Sequence, residues 1–408
     1  MLRKINISQL RVGMYVEHVD KDWFNIPFFR RKITSEEQIE KLRRYHVEEV
    51  KIDLTRGIDV GGDQPETTVA VAEPPQEPEE SPKAEPRDRS VMSREFREEL
   101  EPAKRAYRQA LKAVRDVMQD SRSGRYLEQE QTKVVVAELV DSCMRNDDAL
   151  VSLTKLLSHD EYTFSHCINV TVFTLVLGKA LGFAVEDLQS FGESVMLHDV
   201  GKMLVPPEIL NKPGKLTPEE FDVMKLHVDR GVALLQESFP DNRRIALVAE
   251  EHHERMDGSG YPHGKRGNDI SQWGQISAIA DVYDALTSRR CYKREITPHR
   301  SMALIYRLRG GDFNPLYVDR FIECVGIYPI GSLVRLTTGE VALVVSIRHD
   351  DLLHPDVLVL YRNGHRLLRP KVLDLSERGA NDRFLREVED ILDPEEYGVD
   401  PAAHIIEE

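Results

Sequence analysis

Apolar residues recur with different periods along the chain, and these periods divide it into segments. Near the N-terminus they alternate roughly as strand residues do, at Ile5, Ile7, Val12, Met14 and Val16 and again at Val50, Ile52 and Leu54. Between these runs, Ser35 followed by residues 36–44 predicts a capped helix. Residues 1–62 therefore predict a small α+β domain, which is a candidate regulatory domain.

The next segment, residues 63–90, is rich in Pro, Glu, Ala and Gln and has no apolar period. Such a composition cannot bury enough apolar surface to offset the entropy of ordering the chain. We therefore predict a disordered linker here.

Residues 91–129 are charged and carry one apolar stripe at alternating spacings of four and three. The stripe consists of Phe96, Leu100, Ala103, Tyr107, Ala110, Val114 and Val117. This is heptad spacing in a helix. Two interpretations fit it: the stripe packs on the domain that follows, or it forms a two-helix seam in a homodimer.

The rest of the chain predicts helices first and strands afterwards. Residues 130–327 follow helical patterns, and Thr217 to Glu220 is a capping box with proline at the first helical position. Residues 328–375 contain β-type runs with hairpin turns at Thr338-Gly339 and Asn363-Gly364, which predict a small β-meander. Residues 376–408 are predicted to be an acidic tail. The fold class is thus multidomain and mainly α, with an all-α domain between two small domains that contain strands.

Charge and composition exclude some classes of function. The 408 residues include 70 acidic and 55 basic side chains, a net charge of −15, which disfavours a general DNA or RNA binder. An anionic substrate must then be held by metal ions or by a local group of cations. The four cysteines are scattered without metal-site spacing, which fits a reducing cytoplasm, and no apolar run is long enough for a membrane span.

Histidine and aspartate are concentrated in the helical segment. The residues are His166, His198, Asp199, His227, His252, His253 and Asp281. Imidazole and carboxylate are ligands that suit iron, manganese, zinc and nickel. The pairs His198-Asp199 and His252-His253 follow apolar runs, where polar groups without partners would be costly. The set as a whole predicts a metal site.

Two further observations support this prediction. Asp281 and Asp284 lie on one polar stripe of an otherwise apolar helix, and inward-facing carboxylates need a cation. Lys202, Arg290 and Lys293 follow the candidate ligands and are suited to bind phosphate groups, although exposed helix ends explain neighbouring cations such as Arg289 equally well.

Four motifs resemble the HD-GYP family in order and spacing. They are LHDVGK (residues 197–202), PPEILNKPGKLTPEEF (206–221), HHERMDGSGYP (252–262) and IADVYDALTSRRCYK (279–293). The similarity spans residues 160–327, and the N-terminal segment is similar to a small domain often found ahead of HD-GYP domains. The resemblance implies an HD-type helical domain that hydrolyses cyclic di-GMP to the linear dinucleotide and further to GMP.

The resemblance also implies roles for individual residues. The seven His and Asp residues above would bind two divalent ions, iron or manganese, with Asp199 between them and a bridging hydroxide as the attacking group. Lys202 would act in catalysis, and the substrate would be contacted by Lys202, Tyr261, Asp284, Arg290 and Lys293. A diguanylate cyclase is implied as a partner of the Gly260-Tyr261-Pro262 loop.

Two positions depart from the family pattern. Tyr162 stands where some members carry a glutamate that supports a third metal, so we expect two metals. Cys291 stands where proline is usual, and we expect this change to be tolerated. Two rival functions stay open: an HD hydrolase for another nucleotide, which the DGSGYP loop disfavours, and a cyclic di-GMP receptor or scaffold with little turnover.

Overall fold

The chain forms two compact units, Met1–Asp88 and Arg89–Glu408, in a computed structural model. The structure describes residues 2–19, 33, 36, 39, 49–53, 93–125, 127, 129–157, 162–288, 296–379 and 383–406. Most of the predicted helix of residues 36–44 and the whole predicted linker of residues 63–90 lie outside the described residues.

The first unit contains a three-stranded antiparallel sheet. Its strands are β1 (Leu2–Asn6), β2 (Val16–Val19) and β3 (Glu49–Asp53), with β3 between the other two. The alternating run after β1 does not stay extended, because Ile7–Gln9 form a 3₁₀ turn capped by the side chain of Asn6. The buried core consists of Ile5, Leu10, Met14, Val16, Ile33, Ile39, Val50 and Ile52.

The second unit begins with the long helix α1 (Arg94–Arg122), which is capped by Ser93. Every position of the predicted apolar stripe is buried within the chain. The helix packs on α2 (Gln129–Arg145), α3 (Asp147–Leu156) and α4 (Tyr162–Ala180). The packing interpretation of the stripe is therefore confirmed. The other interpretation, a two-helix seam between two chains, is wrong for this stripe, because its apolar side chains are already covered.

Further helices form the body of the unit, and no described helix combines the length and apolar character that a membrane span requires. The capping box predicted at Thr217 is present, since Glu220 N donates to Thr217 Oγ1 and Thr217 N donates to Glu220 Oε2. The helices are α5 (Val185–Met196), α6 (Pro207–Leu210), α7 (Pro218–Lys225), α8 (His227–Ser238), α9 (Leu247–Glu251), α10 (Gln272–Thr287), α11 (Pro298–Arg307) and α12 (Pro315–Val325).

The C-terminal part is an antiparallel sheet of five strands in the order β7-β6-β5-β4-β8. Its strands are β4 (Leu333–Leu336), β5 (Val341–Ser346), β6 (Asp356–Arg362), β7 (His365–Asp374) and β8 (Val388–Leu392). Both predicted hairpin turns are present, and Asn363 and Gly364 have the positive φ angles, 52° and 77°, that their tight turn requires.

The prediction of an acidic tail after residue 375 is wrong. β8 returns to pair with β4 and closes the meander, and a short helix, α13 (Pro401–Ile405), follows it. The alternation in residues 388–392 is weak because the adjacent residues Glu389 and Asp390 are both acidic and exposed, so the composition of the segment conceals the strand.

Candidate metal centre

Five helices bring the seven predicted His and Asp residues to one buried place. His166 lies in α4 and Asp281 in α10, and His227 is the first residue of α8. His198-Asp199 begins two residues after the end of α5, and His252-His253 directly follows α9. His253 has the most exposed side chain of the seven, with 18% of its surface open, so the cluster reaches solvent on that side.

Two glycines allow the segments that carry these ligands to approach each other. The 3₁₀ turn Val200–Leu204 follows Asp199, and its Gly201 lies directly against α8. A Cβ atom at Gly201 would lie 1.9 Å from the carbonyl oxygen of His227 and 2.6 Å from the nitrogen of Gly231. The distance between Asp199 and His227 therefore depends on the absence of a side chain at position 201.

Three imidazole rings are oriented by backbone carbonyl groups. The Nδ1 atoms of His198, His227 and His252 lie 2.7, 2.8 and 2.9 Å from the carbonyl oxygens of residues 195, 224 and 248. Because a carbonyl only accepts, each Nδ1 carries the proton and each Nε2 keeps its lone pair. The three Nε2 atoms and Asp199 Oδ1 are buried without a hydrogen-bond partner among the described residues. Such a set of unpartnered acceptors fits a bound cation.

The carboxylate of Asp199 lies at the centre of the cluster, and its two oxygens face different rings. Oδ2 is 3.5 Å from Nε2 of His166 and 3.4 Å from Nε2 of His198. Oδ1 is 3.5 Å from Nε2 of His227 and 3.8 Å from Nε2 of His252. His166, His198 and Asp199 form one group of candidate ligand atoms, and His227, His252 and His253 form a second.

Two carboxylates of α10 lie at opposite edges of the His166 ring. Asp281 Oδ1 is 3.2 Å from Nε2 of His166, on the side of the cluster, and Asp284 Oδ2 is 2.7 Å from Nδ1. Asp284 Oδ1 also accepts hydrogen bonds from Asn169 Nδ2 at 2.8 Å and Ser288 Oγ at 3.0 Å. Asp281 therefore faces the candidate ligands, while Asp284 orients one of them from behind.

Burial and neighbouring charges keep these groups in the protonation states that bind metal. Burial lowers the pKa of His252 to about 3, and it also lowers the pKa values of His227 and His253. Burial alone would raise the pKa of Asp199, but the positive charge of Lys202, together with the contacts to the His198 and His166 rings, outweighs burial and holds that pKa well below its usual value. Neutral imidazoles and ionised carboxylates are the forms that coordinate metal ions.

Lys202 and the signature loop lie beside the cluster. The ammonium group of Lys202 donates to Asp199 Oδ2, and 24% of its side chain is exposed. The ring of Tyr261 stacks on the ring of His253, with centroids 4.5 Å apart. The loop is held by buried Glu254, whose carboxylate accepts hydrogen bonds from the backbone nitrogens of His263 and Lys265. Tyr261 thus borders the side of the cluster on which His253 is exposed, and Lys202 lies beside Asp199.

The structure corrects one predicted substrate contact and leaves others undescribed. Asp284 was predicted to lie around the substrate phosphates, but it is buried with both oxygens engaged, and a buried carboxylate there would repel a phosphate. Arg290 and Lys293 lie outside the described residues. Helix α4 begins at Tyr162, whose side chain is also outside them.

Sequence reasoning missed Asn169 and Glu254. A signal for Asn169 was available, because it lies three residues after His166 and therefore on the same face of the helix. The role of Glu254 in holding the loop had no comparable signal, since its partners are backbone groups nine and eleven residues later.

Two family matches cover most of the chain. Residues 2–132 match a domain of unknown function (DUF3391), and residues 148–315 match the HD domain. Helix α1 therefore lies in the first match, although it packs within the second structural unit.

Several curated proteins are similar to the chain. The cyclic di-GMP phosphodiesterase PA4108 of Pseudomonas aeruginosa is 33% identical over 389 residues, which cover 94% of this chain and 92% of that protein. The cyclic di-GMP phosphodiesterase response regulator RpfG of Xanthomonas campestris is 43% identical over 36% of this chain and 39% of its own length. The 3′3′-cGAMP-specific phosphodiesterase 2 of Vibrio cholerae is 39% identical over 40% of this chain and 31% of its own length.

Proposed function

The chain belongs to the HD-GYP family of phosphodiesterases, and from that membership and the geometry of its His/Asp cluster we propose that it hydrolyses cyclic di-GMP in a metal-dependent reaction. The product is the linear dinucleotide, which the same site can cleave further to GMP. The reaction takes place in the cytoplasm, where a reducing environment keeps buried thiols such as Cys143 and Cys167 free.

The observation that carries this proposal is the position of Asp199 between two groups of rings. Its Oδ2 faces His166 and His198, and its Oδ1 faces His227 and His252. The Nε2 atoms of His198, His227 and His252 and the Oδ1 atom of Asp199 could not stay buried at low energetic cost without a cation, because these acceptor atoms would be left unpaired. This arrangement favours two divalent ions per chain with Asp199 between them.

Iron or manganese is the proposed metal, since mixed imidazole and carboxylate ligands suit these ions. His166, His198, Asp199 and Asp281 would hold the first ion, and Asp199, His227, His252 and His253 would hold the second. When bound, the ions stabilise the charge that develops on the phosphodiester and lower the pKa of the attacking water.

The remaining chemistry belongs to side chains of the chain itself. Lys202 is proposed to neutralise a non-bridging phosphate oxygen or to assist the leaving ribose 3′ oxygen. Burial raises the pKa of Tyr261, so its phenol stays protonated and can donate a hydrogen bond to the substrate. Arg290 and Lys293 are proposed to contact the second phosphate. The Gly260-Tyr261-Pro262 loop is the proposed contact for a diguanylate cyclase.

One assay tests this function directly. The full chain is freed of metal, reloaded with Fe²⁺ or Mn²⁺ under anaerobic conditions, and incubated with cyclic di-GMP, and the products are separated by chromatography. We expect the linear dinucleotide to appear only in the reloaded samples. A parallel reaction with 3′3′-cGAMP compares the two substrates named for the relatives.

The same experiment distinguishes the alternative function. Binding of cyclic di-GMP without product under either metal would refute the enzyme and support a receptor or scaffold. Faster hydrolysis of 3′3′-cGAMP than of cyclic di-GMP would keep the reaction class and change the substrate.

A further inference from the structure

A buried chain of hydrogen bonds connects α1 to the candidate metal centre. The hydroxyl of Tyr107 donates to Asn169 Oδ1 at 2.8 Å, and Asn169 Nδ2 donates to Asp284 Oδ1 at 2.8 Å. Asp284 Oδ2 then lies 2.7 Å from Nδ1 of His166. All four residues are at most 2% exposed. The chain of hydrogen bonds thus ends on the ring of His166, which faces Asp199 and Asp281.

The direction of each hydrogen bond is determined by the groups that form it. A carboxylate only accepts, so Asn169 must present its NH₂ group to Asp284 and its carbonyl oxygen to Tyr107. Burial and the charge of Asp284 raise the pKa of Tyr107, so the phenol remains a donor. Asp284 likewise requires a proton on Nδ1 of His166, so in the neutral ring that binds a metal ion the lone pair of Nε2 is directed toward Asp199 and Asp281.

His166 differs in this respect from three other rings of the centre. His198, His227 and His252 are oriented by backbone carbonyls, whose positions follow from the local main chain. The orientation of His166 depends instead on side chains from α4 and α10 and, through Asn169, on α1. Helix α1 lies outside the match to the HD domain and inside the match to the domain of unknown function.

We propose that Tyr107 is a positioning residue for the metal centre: its hydroxyl fixes Asn169, which fixes the carboxylate that orients His166. This role rests on the proposed metal-dependent function. It assigns a task to the end of the N-terminal family match, which is to hold one metal ligand in its binding orientation.

The test measures metal affinity rather than activity alone. Tyr107→Phe removes only the hydroxyl and keeps the buried ring. The metal-free full chain is titrated with Mn²⁺, and free Mn²⁺ is followed by electron paramagnetic resonance. Loss of a group behind a metal ligand weakens affinity by about 10–100-fold. Because Tyr107 acts through two intervening residues, we expect the lower end, about tenfold, with kcat reduced and KM for cyclic di-GMP unchanged.

Tyr283→Phe is the matched control. Tyr283 is buried in α10 beside Asp284, and its hydroxyl is not part of the hydrogen-bond chain. We expect this variant to bind Mn²⁺ as the wild type does. A double-mutant cycle of Tyr107→Phe with Asp284→Asn completes the test, because residues that act through one chain give non-additive losses of affinity.

The outcomes separate the positioning role from the proposed function. Wild-type Mn²⁺ affinity in Tyr107→Phe, an equal loss in Tyr283→Phe, or additive losses in the cycle would each overturn the role of Tyr107 and leave the proposed function intact. A wild-type chain that binds Mn²⁺ but does not hydrolyse cyclic di-GMP would refute the function, and the affinity comparison would still decide the role of Tyr107. A wild-type chain that binds no metal would overturn both.

Discussion

Replacement of Gly201 by alanine should move Asp199 away from His227 in the candidate metal centre. The added Cβ would lie 1.9 Å from the carbonyl oxygen of His227, with the nitrogen and Cα of Gly231 at 2.6 and 2.9 Å. These neighbours are main-chain atoms, so no side chain can rotate away. The first contact is about 1.5 Å shorter than an ordinary van der Waals distance, and the backbone after Asp199 must move away from α8.

A movement of this size exceeds what a metal site tolerates. Ligands must stay within about 0.5 Å of their binding geometry, so Gly201→Ala should lose tightly bound metal. Overpacking in a buried place costs about 1–3 kcal/mol. We expect the upper end of that range here, which corresponds to a melting temperature lower by roughly 6 °C.

Two other glycines provide graded controls. A Cβ at Gly231 would lie 3.3 Å from the nitrogen of Gly201, which requires a shift of a few tenths of an ångström, and alanine favours the helix by about 1 kcal/mol. At Gly311 there is room for a side chain, because a Cβ atom there would lie 3.8 Å from its nearest neighbour, the carbonyl oxygen of Leu308. Metal content by elemental analysis and thermal unfolding should be affected in the order Gly201→Ala, Gly231→Ala, Gly311→Ala. Wild-type metal content and melting in Gly201→Ala would refute the reasoning.

Four further predictions concern single substitutions. Asp199→Ala should abolish both bound metal and hydrolysis, and near wild-type metal content by elemental analysis would contradict its place between two ions. Lys202→Ala should keep its metals and lose about 100-fold in kcat; loss of metal would mean that its role is different. Tyr162→Phe should leave two metals per chain, because a neutral phenol is a poor ligand, whereas three metals in the wild type, with one lost in the variant, would refute this count. His349 donates to the carbonyl of Glu323, and its hydrogen bond to Asp148 raises its pKa to about 9. The stabilisation of the fold by the charged His349 ring is therefore complete below about pH 6.5 and is lost as the pH rises through 9. The urea midpoints of wild type and His349→Gln should differ at pH 6 and converge at pH 10.

Local features of the fold could be predicted because their causes are local. The capping box at Thr217 and the turn at Asn363-Gly364 depend on residues a few positions apart, and the structure contains both. The apolar stripe of α1 is different, since helical periodicity is the same whether the partner helix belongs to the same chain or to another chain. Only the tertiary structure decides between them, and here α2, α3 and α4 cover the stripe.

The residue types of the candidate site could be predicted better than the directions in which its side chains face. The seven His and Asp residues were selected from motifs, and the structure brings them together, although metal binding at them stays a prediction. Asp281 and Asp284 are three residues apart on one helix face, so helical periodicity alone does not distinguish the carboxylate that faces the cluster from the one behind His166. The family resemblance selected Asp281 as the ligand but placed Asp284 at the substrate instead of behind His166. The difference between the two carboxylates depends on where the His166 ring lies between them, which is a property of the packing of α4 on α10.

Because α1 is buried within the second structural unit, the boundaries of the two family matches differ from the boundaries of the structural units. A fragment that begins with the HD match at residue 148 would lack α1 and α2, and it would expose the apolar surfaces of α3 and α4 that α1 covers. A recombination point inside residues 54–92, before α1, would leave that core whole. Exchange of N-terminal domains between such proteins should therefore succeed when the junction lies ahead of Ser93. It should yield aggregating chimaeras when the junction follows the boundary between the two matches.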